Sequence, residues 1–82
     1  MATRFEIVTR GGLWAIVRVM PSGDAAGYDA VADRGQEQRH FRIHRGTAHA
    51  TAIDCAFQDS RMYPTLEAAL ADAEAAGREV FV

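Results

Sequence analysis

The chain has 82 residues, a formal net charge of −2 and an apolar fraction of 49%. A chain this short is expected to form one domain, 1–82, burying roughly 60–65% of the surface its unfolded form exposes, and its weak acidity gives no general drive towards nucleic acid or anionic membrane. All nine basic residues are arginine, and the single cysteine, Cys55, cannot close an internal disulfide. No run approaches the ~18–20 apolar residues of a membrane span, so a reduced, cytoplasmic protein is expected.

Residues 4–9 and 13–20 are rich in β-formers and flank Arg10-Gly11-Gly12. Two such runs around a Gly-Gly pair predict a β-hairpin. In the first run Phe5 and Ile7 alternate with Arg4, Glu6 and Val8, which gives one apolar face. The second run, LWAIVRVM, is apolar on both faces and carries one charge, Arg18. It therefore reads as a central strand. Pro21-Ser22-Gly23-Asp24 ends it, because proline lacks the amide donor that a ladder needs.

Residues 28–32 are expected to form a third strand, with Asp33-Arg34-Gly35-Gln36 as its turn. Residues 38–45, QRHFRIHR, alternate as a strand would. Phe41 and Ile43 should face inward, and His40, Arg42 and His44 outward. Residues 47–58 are ambiguous: Thr51, Ile53, Cys55 and Phe57 repeat at period two, yet the alanines at 48, 50, 52 and 56 suit a helix. The period-two pattern favours a strand.

The C-terminal stretch YPTLEAALADAEAAGREVFV is the most legible. Thr65 is an N-cap, Glu67 an anion in the first turn, and Gly77 a left-handed stop. Leu66, Ala69, Leu70 and Ala73 form the expected buried stripe, and residues 80–82 can add a last strand. Together these elements predict an α+β fold, a four- or five-stranded, mainly antiparallel sheet with one C-terminal-half helix on one face.

Chemistry is harder to find. His40, His44 and His49, with Asp54 and Cys55, offer zinc-ligating atoms, but Arg42 would stand between His40 and His44, and a guanidinium repels a dication. Cys55 reads as a buried, inert thiol, and Ser22 and Ser60 lack a nucleophile-elbow context. Gly11-Gly12 has neither the lysine of a P-loop nor the spacing of a dinucleotide turn. No cofactor, metal or catalytic residue is expected.

The sharpest charge feature is basic. Arg34, Arg39, Arg42 and Arg45, with His40 and His44, lie within twelve residues that hold one acid, Glu37. Such a stripe can meet an acidic protein or phosphates. The overall acidity and the want of interleaved exposed aromatics weigh against nucleic acid, and a solvated or internally paired strand face is the simpler reading. The alanines on the helix's far side, at 68, 71 and 75, could let a second element approach, though alanine is also the best helix former. Trp14 is either core or an interface anchor. If one helix covers one sheet face, then Trp14, Ile16 and Met20 on the other need a homodimer, a partner, or back-packing of Tyr28 and Phe41.

The hairpin with Gly12-Leu13-Trp14 followed by a Thr65-Leu66-Glu67-Ala68-Ala69-Leu70 helix resembles many small domains of unknown function. In size and acidity the chain is similar to phage-encoded inhibitors such as anti-CRISPR proteins, a likeness of format that brings no motif and no residue roles. The expected function is non-catalytic binding to another protein or to a second copy, as an inhibitor or regulator. Arg39, Arg42, Arg45, His40, His44 and Trp14 are its candidate contacts, and a nucleic-acid-binding module using the same arginines is the alternative. A small enzyme or metal-binding subunit is a third.

Overall fold

A computed structural model describes residues 3–35, 41–45 and 49–82. The elements in chain order are β1 (Arg4–Arg10), β2 (Leu13–Val19), β3 (Ala25–Gly27), α1 (Ala30–Arg34), β4 (Ile43–His44), α2 (His49–Asp59), β5 (Met62–Tyr63), α3 (Leu66–Ala75) and β6 (Val80–Phe81). The expected α+β architecture is present, with a mostly antiparallel sheet of six strands and three helices among the described residues.

The hairpin forms as the sequence predicts. Gly11 and Gly12 both take positive φ, +58° and +79°, and this two-residue left-handed turn matches the twist of the flanking strands. It sets β1 against β2 from Arg4↔Val19 to Arg10↔Leu13. The strand order is β4-β3-β2-β1-β6, with β5 also on β2. β3 takes the Val17–Val19 end of β2's free edge and β5 the Trp14–Ala15 end. β6 runs parallel to β1 at Phe5 and Glu6.

Two expected strands are helices. Residues 28–32 do not extend the sheet; β3 ends at Gly27, and Asp29 caps α1 by accepting from the Val31 and Ala32 N–H groups at 3.0 and 3.2 Å. The 47–58 segment gives α2 where it is described. Ile53 and Phe57 are four apart as well as an even number apart, so they fit both periods. Ala52 and Ala56 settle it, because both are buried beside Phe57 while Thr51, Asp54 and Gln58 are exposed. A strand cannot put Ala52 and Ile53 on one face; a helix can.

The sheet lies between two helical layers. On one face Ile7, Ile16 and Tyr63 pack with Tyr28, Ala30 and the α3 alanines Ala69 and Ala73. On the other Ala15, Val17, Val19 and Ala25 pack with Ala52, Ala56 and Phe57 of α2. Trp14 and Ile16 therefore point towards α3, and the opposite face has α2. A second copy is not needed to cover that face.

Thr65 caps α3 as expected, its hydroxyl accepting from Ala68 N–H at 3.1 Å. Gly77, at φ +73°, lets Arg78 N–H reach Ala73 C=O at 2.9 Å and Gly77 N–H reach Glu74 C=O at 2.9 Å, a Schellman ending. The buried stripe is rotated from the expected one. Ala69 and Ala73 are buried and Leu66 and Ala76 pack beside them, while Leu70 is exposed. Arg34 of α1 pairs with Asp72 of α3 at 3.5 Å, and Asp33 of α1 takes Arg78, just past the end of α3, at 2.9 Å.

Candidate functional site

The hairpin turn fixes which main-chain groups the sheet leaves unused. In a two-residue loop the flanking residues form a hydrogen-bonded pair, so Arg10 bonds Leu13 and every second pair after it does likewise. Val17 and Val19 then bond β1, and Arg18 turns its backbone towards β3. Met20 N–H donating to Asp24 C=O at 2.8 Å keeps this phase. Ala26, opposite Arg18, is thus spent on β2, and Ala25, opposite His44, bonds β4. The backbone groups of Ile43 and Arg45 consequently point away from the sheet. β4 ends the strand order, and no hydrogen bond reaches those groups among the described residues.

The side chains here depart from expectation in burial, though not in alternation. Phe41 and Ile43 do share a face, with the Arg18 guanidinium 5.8 Å from the Phe41 ring centroid. Yet Ile43 is 50% exposed, while His44 is tucked against α2, its Nε2 2.5 Å from Asp59 Oδ2. The cause is where the helices lie. α2 spans β2, β3 and β4, whereas α3 lies over β2 and β5 and leaves Ile43 open. Arg42 is exposed and forms no ion pair among the described residues. Arg45 is exposed, with Nε 3.6 Å from Asp24 Oδ2. Arg42, His44 and Arg45 therefore gather on one edge strand. Trp14 does not join them: it is half-buried opposite Tyr63 and packs against the α3-side core. Arg39 and His40 fall outside the described residues, as does the side chain of His49.

Arginine elsewhere is structural. Arg4, Arg10, Arg34, Arg61 and Arg78 each pair with a carboxylate, respectively Glu6, Asp54, Asp72, Asp29 and Asp33. Four of these pairs join segments far apart in the chain, Arg4–Glu6 being the local one. The planar guanidinium suits this work, since it bonds in a fork and stacks on rings. Arg78 does both, holding Asp33 through Nε and Nη2 at 2.9 and 3.4 Å while lying 5.3 Å from the Phe5 ring centroid.

The Tyr28 hydroxyl donates to the same Asp33 carboxylate. Burial and that acceptor push the Tyr28 phenol up to about 12, and the hydrogen bonds from Arg78 and Tyr28 hold the Asp33 carboxyl below its ordinary range. The Tyr63 hydroxyl is buried without a hydrogen bond of normal geometry, and burial, then nearby Asp72, keep this phenol well above its usual value. Ser60 is engaged too: its hydroxyl donates to Ala56 C=O at 2.7 Å and accepts from Tyr28 N–H at 3.1 Å. Cys55 is half-buried on α2. No cluster of three or more His, Cys, Asp or Glu able to hold a metal ion occurs among the described residues.

An open hollow of about 460 Å³ lies where β1 and β6 begin, lined by Arg4, Phe5, Arg78 and Phe81 among others. Its two arginines are already committed. Arg4 sits 4.2 Å from the Phe81 ring centroid and 3.6 Å from Glu6, and Arg78 is bound to Asp33. Their charge is offset locally, so the hollow has little pull on an anion. Comparison with protein-family models, curated proteins and solved structures finds no match. No helix among the described residues is long and apolar enough to cross a membrane.

Proposed function

We propose that this chain is a non-catalytic protein-interaction domain, acting as a small inhibitor or regulator that occupies an acidic surface of another protein. One observation carries the reading. At the end of the sheet a half-exposed Ile43 stands between Arg42, which has no ion pair among the described residues, and the exposed Arg45. An apolar residue rimmed by cations is how protein interfaces combine burial with charge selection. Most other described arginines are held by internal carboxylates, which leaves too few guanidiniums to follow a phosphate backbone. The serine hydroxyls are engaged in holding backbone groups, Ser22 on Asp24 N–H and Ser60 on Tyr28 N–H.

The test is affinity capture from the native host, with the wild-type chain and the Arg42→Glu/Arg45→Glu variant as parallel baits. A protein enriched by the first and lost with the second supports the proposal, and its binding should weaken as salt rises. Identical captures from both baits would overturn it. Retardation of generic DNA by the wild type, abolished in the variant, would favour the nucleic-acid alternative.

A further inference from the structure

We propose that the partner binds by strand addition, an acidic extended segment pairing with the outer edge of β4. This inference rests on the protein-interaction reading and specifies its geometry. The ladder phase set by the hairpin leaves the N–H and C=O groups of Ile43 and Arg45 directed outward, the two donors and two acceptors that a further row beside β4 would use. Side chains choose the occupant. Arg42 has no carboxylate among the described residues, and Arg45 shares Asp24 only at 3.6 Å. A second copy of the same edge would set guanidinium beside guanidinium, and like charges placed opposite each other oppose pairing. Charged residues on an end strand ordinarily guard it against non-specific joining. Here they exclude the chain's own copy and admit a strand of opposite charge, with an apolar residue beside Ile43 and carboxylates one or two positions away.

Amide chemical-shift titration with a synthetic peptide, a valine flanked on each side by two glutamates, tests this directly. The expected result is saturable change centred on residues 41–45 and 24–26, with slowed amide exchange at Ile43 and Arg45. Binding should weaken about 10-fold when glutamine replaces glutamate, the scale of two exposed ion pairs. N-methylation of alternate peptide amides should abolish it, since it removes the ladder donors and keeps the charge. Equal binding by the N-methylated peptide overturns strand addition and leaves the protein-interaction proposal standing. So does loss of a captured host partner in the Arg42→Glu/Arg45→Glu bait without any saturable peptide response. If neither the peptide nor host capture depends on Arg42 and Arg45, both proposals fall. Arg42→Gln, which breaks no hydrogen bond or ion pair among the described residues, serves as the variant whose folding is not in question.

Discussion

Gly27 shows how closely β3 and the end of α2 approach. A Cβ built there would lie 2.8 Å from the Asp59 carbonyl carbon and 2.9 Å from its Cβ and carbonyl oxygen. Gly27→Ala must therefore shift backbone, at a cost of about 1–3 kcal/mol, read as a lowered urea midpoint with an unchanged slope. Asp33 gives a pH signature. Its folded-state pKa is depressed by Arg78 and Tyr28, so its contribution is present above the unfolded carboxyl value, near 4, and is lost as pH falls through the lower folded value. Asp33→Asn should be less stable than wild type at neutral pH, and the gap should begin to narrow as pH falls below about 4; a gap that is constant across the acid range contradicts the assignment. Tyr28 runs the other way. Its raised pKa of about 12 stabilises the fold fully below pH 10, and that contribution disappears as pH rises towards 12. Phenolate absorbance at pH 10.5 should therefore stay well under half its final value, because both tyrosines are shifted upward.

At the scale of elements, Ser60 is the joint between α2, β3 and the approach to β5. Its hydroxyl takes Tyr28 N–H, and Arg61 N–H donates to Tyr28 C=O at 3.0 Å. Ser60→Ala leaves a buried N–H without its acceptor, and the expected loss is about 1–3 kcal/mol, with faster amide exchange at Tyr28. Ser60→Thr retains the hydroxyl and should recover part of it. The β1–β2 hairpin and α3 were legible in the sequence because their signals are local: a Gly-Gly turn, a Thr65 cap, a Gly77 stop. α2 was misread because Ile53 and Phe57 satisfy two periods at once. α1 was missed although Asp29 stands immediately before it as a capping residue, a signal that the sequence did contain. The burial of His44 and exposure of Ile43 were not legible, since they depend on which helix reaches β4. The same holds for Arg10 with Asp54 and Arg78 with Asp33, partners 44 and 45 residues apart.

For the molecule as a whole, the sheet divides its labour between two edges. On the β6 side the arginines are stacked and paired, and the β4 side keeps Arg42 without a carboxylate among the described residues. Arg42→Gln/Arg45→Gln should thus leave folding stability within about 0.5 kcal/mol of wild type, while removing partner binding. A larger stability loss would mean that these arginines serve the fold. The arrangement of β6 beside β1 also has a practical result. β6 lies on the rim farthest from Ile43, three intervening strands away, and the start of β1 is beside it. With rows spaced about 4.8 Å apart, a fluorophore or surface tether attached at Arg4 or Val80 would stand clear of the β4 edge, so immobilised protein should offer that edge to solution unobstructed.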